Sequence, residues 1–256
     1  MTALPFARLP KGWQPASDTL TERVVLVTGA YGGLGGAVAR AVSRAGATVV
    51  ITGKRKRQLE QLNDAMVAEG LPPPVIHPLD MEIATPRDYA ALAEGLERDF
   101  GRLDGIVHAA VSFGGLTPIA MHKPDAWLRA MHVNVNAPFA LTQACLPLLT
   151  QASDSAVVFV LDDPALMQRA HWGGYGASKA ALERLVSILH EETDSGPLRT
   201  HALLPGPMRT ALRQLAYFGE DILQRPLPDA AAMAAVFLLS EQAAAMRGAI
   251  LDLRTD

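Results

Sequence analysis

From Arg23 onward, seven short apolar runs rich in β-branched residues recur along the chain: VVLVT (24–28), TVVIT (48–52), VIHPL (75–79), GIVHA (105–109), AVVFVL (156–161), THALL (200–204) and AILDL (249–253). They lack polar alternation, which is the pattern of strands shielded from water on both faces. Segments with helical periodicity lie between them at 34–45, 55–69, 86–100, 125–150, 176–195 and 229–241. Strand and helix in strict alternation, joined by right-handed crossovers, predict a doubly wound parallel sheet of seven strands with helices on both faces. This α/β unit is expected over 21–256, as a single domain preceded by a proline-punctuated arm at 1–20. The Pro- and Leu-rich stretch 205–228 interrupts the rhythm and reads as a substrate lid or as plain surface packing.

The first run passes into TGAYGGLG and then into a helical segment, AVARAVSRAG. Glycines at 29, 33 and 35 permit a tight turn and close backbone approach to a pyrophosphate. The free amides and dipole at the helix start attract its negative charge. Placed between strand and helix, the turn predicts a dinucleotide site in a Rossmann fold. An acid at the end of the second strand would bind the ribose 2′-hydroxyl of NAD. Here that place holds Gly53-Lys54-Arg55-Lys56-Arg57, and the first acid is Glu60. Cations suit a 2′-phosphate, so NADP(H) is favoured over NAD(H), with Lys54 and Arg55 nearest. Lys56 and Arg57 read as a solvated helix start.

A net charge of −3 gives no field to gather nucleic acid or an anionic membrane, so neither is expected as a partner. No apolar run reaches the roughly 20 residues of a membrane-spanning helix. The first residues, MTALPFARLPKGWQP, lack a secretory apolar region. One cysteine, Cys145, rules out an internal disulfide and suits a reducing compartment, so a cytoplasmic location is expected. The seven histidines show no metal-ligand spacing, and no metal is expected.

With the glycine turn, the run Tyr175-Gly-Ala-Ser-Lys179 and the segment LPGPMRT, the chain resembles the short-chain dehydrogenase/reductase family over 23–253. The runs RLDGIVHAA, VNVNAPFALTQACLPLL and WGGYGASKAAL are most similar to its YciK-like branch of bacterial oxidoreductases. The resemblance implies hydride transfer between nicotinamide and a small carbonyl or alcohol substrate, in a homodimer or homotetramer. It gives Tyr175 the role of general acid or base. A phenol needs a neighbouring cation to work near neutrality, and Lys179, four residues on, shares its helix face. Asn134 corresponds to the family's proton-relay Asn, and the catalytic set is completed by position 162. The implied cofactor-binding residues are Thr28, Gly29, Tyr31, Gly33, Leu34, Gly35, Lys54, Arg55, Asp80, Met81, Ala109, Tyr175, Lys179, Pro205, Gly206 and Thr210. Among them, Asp80 would border the adenine and Thr210 would touch the nicotinamide carboxamide.

The chain departs from the family where its catalytic Ser should stand, 13 residues before the Tyr, because that position is Asp162. No Ser or Thr lies between Ala156 and Gly174. A hydroxyl donates to a substrate carbonyl, whereas a carboxylate only accepts and repels a developing oxyanion. Three accounts stand open: Asp162 is protonated and donates; it turns away and Ser112 or a water substitutes; or carbonyl chemistry is weak or absent. The last would make the chain an NADP-binding protein that acts by association. His108-Ala109-Ala110-Val111 also replaces the family's Asn-Asn-Ala-Gly, with His108 expected as a core residue, and Leu204 replaces an Asn.

Overall fold

The structure, a computed structural model, describes residues 4–254. The first three residues of the expected arm and the last two of the expected domain lie outside the described residues. The strands are β1 (Phe6–Ala7), β2 (Val24–Thr28), β3 (Thr48–Gly53), β4 (Val75–Pro78), β5 (Gly105–His108), β6 (Ser155–Val160), β7 (Leu198–Leu204) and β8 (Ile250–Asp252). All pair in parallel, in the order β1-β8-β7-β6-β5-β2-β3-β4. The helices are α1 (Gly33–Arg44), α2 (Lys56–Ala68), α3 (Pro86–Phe100), α4 (Pro124–Met131), α5 (Ala137–Gln151), α6 (Pro164–Met167), α7 (Gly173–Thr193), α8 (Ala211–Ala216) and α9 (Asp229–Leu239).

Successive strand residues point to opposite faces, and both faces are covered. Val25 and Val27 of β2 pack on one side with residues of α1, α2 and α9, while Val24 and Leu26 pack on the other with α3, α5 and α7. Helix ends follow local chemistry. At the start of α3, Thr85 and Asp88 form a reciprocal capping box beside Pro86, and Gly101 closes the helix in the left-handed conformation.

Eight strands form where seven were expected, because Phe6–Ala7 of the arm pairs with Ile250 and Leu251. Two residues near Pro5 and Pro10 carry no apolar run of their own, so pairing with β8 is what makes them a strand. The Arg8 guanidinium donates to the carbonyls of Asp252 at 3.1 Å and Arg254 at 2.5 Å. Trp13 packs edge-on against Phe237 with ring centres 5.1 Å apart, so this part of the arm belongs to the packed body.

The helix expected at 125–150 is divided into α4 and α5 by a widened π turn, His132–Asn136. Pro138 has no N–H for the fourth carbonyl back, which interrupts the regular ladder there. Asn134 sits inside the widened turn and is almost fully buried.

The chain winds outward from β2 through β3 and β4, then returns to β5 on the other side of β2. Thr28 stands opposite His108 where the two strands end. Reversal of winding opens a crevice at such carboxyl ends, and ligands of open α/β sheets bind there. Among the described residues, no helix is long and apolar enough to cross a membrane.

Candidate active site

The glycine turn closes tightly at the end of β2. Gly29 has φ +62°, and a Cβ on it would lie 2.6 Å from Ala110 Cα, so only glycine fits without displacing the loop after β5. A Cβ on Gly35 would collide with the Gly29 carbonyl. Gly32 caps α1 with no side-chain hydrogen bond, which leaves the first amides of the helix to a ligand. Thr28 Oγ accepts from the backbone amides of Ala109 at 3.1 Å and Ala110 at 3.0 Å, locking the two sides of the crevice together. This bare glycine cradle at a helix start fits a pyrophosphate, and the residues present suit the dinucleotide the turn implies.

His108 is buried, bonded through Nε2 to Thr142 Oγ at 2.9 Å and stacked on Phe159. Burial pushes its pKa down to about 3, so the ring is neutral. It is the core residue expected from the sequence.

At the end of β3, the Tyr31 ring lies against Gly53, where an added Cβ would meet it at 2.6 Å. Lys54 is ion-paired with Glu82, so its charge is already engaged. Arg55 precedes α2 and is exposed, and Lys56 pairs loosely with Glu60 at 3.7 Å. Asp80 Oδ1 accepts from the Glu82 amide at 3.0 Å, which shapes the turn after β4. Met81, next in the chain, is buried.

Asp162, just beyond β6, faces Tyr175 in the first turn of α7. The Tyr175 hydroxyl donates to Asp162 Oδ2 at 2.6 Å, and the Asp163 amide donates to Asp162 Oδ1 at 2.8 Å. Both carboxylate oxygens therefore accept hydrogen bonds, and the side chain does not turn away. Burial first, and Asp162 second, raise the Tyr175 pKa well above 10.0. Lys179 lies on the same helix face, but its ammonium donates to the Val160 carbonyl at 2.8 Å and stands 5.6 Å from the Tyr175 ring centre. Burial lowers its pKa to about 8, against a smaller opposing pull from Asp162.

Asn134 does not line the cavity that holds this pair. Its Oδ1 accepts from the Ser112 amide at 2.7 Å, and its Nδ2 donates to the Ser112 carbonyl at 3.0 Å and to Ser178 Oγ at 2.9 Å. Ser178 in turn donates to the Tyr175 carbonyl at 2.7 Å. The Asn134 side-chain amide thereby ties the loop after β5 to the start of α7.

A cavity of about 690 Å³ runs from Gly32–Gly35 past His108, Ala109, Asp162, Tyr175 and Lys179 to Pro205, Gly206 and Thr210. Thr210 caps α8, accepting from the Arg213 amide at 3.2 Å, and its methyl faces Gly33. A nicotinamide bound there would supply a hydride acceptor or donor. Phe113, Trp172, Tyr217 and Arg213 also line the cavity, and none stood out in the sequence. Trp172 carried one signal, standing three residues before Tyr175 in a chain with only 5% aromatic residues. Among the described residues, no group of metal-binding side chains is assembled.

The family model described as short chain dehydrogenase matches residues 23–218. The uncharacterized oxidoreductase YciK of Escherichia coli K12 is 37% identical over 209 residues, which cover 82% of each chain. A short chain dehydrogenase from Shigella flexneri 2a, solved as a complex with NADP, is similar with TM-score 0.88 and 34% identity, over 93% of this chain and 99% of that one. A short chain dehydrogenase from Escherichia coli CFT073, solved with NADPH, has TM-score 0.89 and 35% identity over the same shares. The family model spans most of the chain and the YciK relative is more than 30% identical over four fifths of it, so the chain belongs to the short chain dehydrogenase family of oxidoreductases.

Proposed function

We propose that the chain transfers a hydride between NADP(H) and a small polar double bond, the carbonyl/alcohol pair being the family's ordinary substrate. The observation that carries this is the convergence of Asp162, Tyr175 and Lys179 on a cavity continuous with the glycine cradle. Tyr175 is the proton-exchanging group and Lys179 its electrostatic support. Asn134 positions Ser112 and the start of α7. NADP(H) is preferred over NAD(H) through Arg55 and Lys54, a reading supported by the absence of an acid between Gly53 and Arg57 and by the relatives solved with NADP and NADPH. Residues 205–228 act as the substrate lid. A homodimer or homotetramer is supported by half-exposed Phe139 on α5 and Ile188 on α7, and light scattering on the purified protein tests it.

Measured oxidation of NADPH over a panel of carbonyl compounds tests the enzyme reading, with Tyr175→Phe as control. Turnover in the wild type and its loss in the variant, at unchanged NADPH affinity, are expected. Equal rates in both proteins would remove Tyr175 from the reaction.

The Tyr175–Asp162 hydrogen bond favours one second reading, an NADP-binding protein without catalysis, since it occupies the phenol's proton. Robust wild-type turnover eliminates it.

A further inference from the structure

Four aromatic rings gather beside the Tyr175–Asp162 pair and line the same cavity. Phe113 lies 5.2 Å from Tyr175 and 5.8 Å from Trp172, ring centre to ring centre, and Trp172 lies 5.8 Å from Tyr175 and 5.9 Å from Tyr217. All four rings line the cavity with the carboxylate. Aromatic faces and an anion together form the usual receptor for an organic cation. One wall already binds one: the Arg213 guanidinium stacks on Tyr217 at 3.5 Å. That guanidinium is held by Glu220, at 2.6 and 3.0 Å, a carboxylate that Arg225 shares. Arg254 is likewise held by Asp163 and Asp252. Asp162, by contrast, accepts from a phenol and a backbone amide, both uncharged. Lys179 and Arg213, the cations whose charges bear on Asp162, spend their hydrogen bonds elsewhere, on the Val160 carbonyl and on Glu220.

We propose that Asp162 and the rings of Phe113, Trp172, Tyr175 and Tyr217 select a cationic substrate, and that the bond reduced is the C=N of a small protonated imine. The proposal rests on the hydride-transfer reading above, with reduced nicotinamide as the reductant. The hydride brings its electron pair to the imine carbon, the π pair of C=N returns to nitrogen, and a neutral amine and oxidised nicotinamide result. No proton is delivered in that step, and the amine later takes one from water. The single positive charge is conserved, moving from the imine to the nicotinamide, so no anion forms beside Asp162. A neutral carbonyl would instead create an alkoxide beside a carboxylate, and would need the proton that Tyr175 shares with Asp162.

Two measurements on the intact protein test this. In the first, the NADP-loaded protein is titrated with tetrahydroisoquinoline, protonated near neutral pH, and with its uncharged oxygen analogue isochroman, read by tryptophan fluorescence. The cation is expected to bind more tightly by about tenfold or more, and Asp162→Asn to abolish most of that difference. In the second, NADPH oxidation is followed with dihydroisoquinoline and with α-tetralone. The wild type is expected to prefer the imine, and Asp162→Ser to reverse the preference. Equal binding of the two probes by the wild type, which needs no variant to fold, overturns the cation pocket. Turnover of tetralone with equal probe binding does so too and leaves the hydride-transfer reading intact. A cation preference without turnover of either ring overturns hydride transfer, and the imine reduction with it, while the cation pocket stands.

Discussion

The hydroxyl of Tyr175 donates a hydrogen bond to Asp162 Oδ2 at 2.6 Å, with Lys179 turned to the Val160 carbonyl. Burial and Asp162 both hold the Tyr175 pKa up. Asp162→Asn removes the nearby anion, so Tyr175 should ionise at lower pH than in the wild type. An ultraviolet titration with Tyr175→Phe as the subtraction reads this directly. An unmoved or higher phenol titration would show that Asp162 does not govern it.

Cofactor choice should respond to charge at the end of β3. Arg55→Ser is expected to weaken NADPH binding about tenfold or more, the worth of one charge-assisted hydrogen bond, and to leave NADH almost unchanged. Glu82→Gln frees Lys54 from its ion pair and should tighten NADPH binding. Calorimetric titration with both nucleotides checks the pair, and equal losses for NADH and NADPH would count against a 2′-phosphate contact.

Gly29→Ala should cost about 2–4 kcal/mol in denaturant unfolding. An L side chain is strained at φ +62°, and its Cβ must push the backbone of Ala110 aside. Added NADPH should then protect the variant from thermal unfolding less than it protects the wild type.

Two buried histidines give the fold an acid sensitivity. Burial depresses the pKa values of His108 and His201 from 6.5 to about 3. Between those limits the unfolded chain binds protons that the folded chain refuses. The stability they allow is complete above pH 6.5 and is lost as pH falls towards 3. Each contributes a slope of about 1.4 kcal/mol per pH unit inside that window. His108→Asn keeps an amide for Thr142 and removes one titration, so unfolding curves between about pH 6 and pH 4.5 should flatten by about that amount.

Arg199 is 1% exposed and is held by Asp154 through two hydrogen bonds, at 2.7 and 2.9 Å. Asp154→Ala strands that guanidinium and should destabilise the protein by about 3–5 kcal/mol in denaturant unfolding. The site lies at the amino ends of β6 and β7, and the cavity lies at their carboxyl ends, so turnover per folded molecule should not change.

Strands covered on both faces were legible because their runs are mostly apolar and β-branched without polar alternation, and the β2 turn because its glycines stand between strand and helix. β1 was not, since Phe6 and Ala7 become a strand only by meeting Ile250 and Leu251. The break between α4 and α5 left a trace in Pro138, but apolar residues on both sides hid it. Tyr175 and Lys179 do share a face, yet spacing along α7 could not tell that the ammonium turns to Val160. For Asp162, the residue type posed the question, and only the fold shows both oxygens accepting. The ring cluster was hidden because Phe113, Trp172 and Tyr217 come from separate loops, and nothing local links them.

The pairing of β1 with β8 also has a kinetic meaning. Arg8 and Asp252, which stand at one mouth of the cavity, are 244 positions apart in the chain. Such a contact repays the entropy of closing its loop only after the intervening sheet exists. During folding the mouth should therefore close last, and in the native state the Ile250 amide, bonded to the Pro5 carbonyl, should exchange its hydrogen sooner than amides of the central strands β2 and β5.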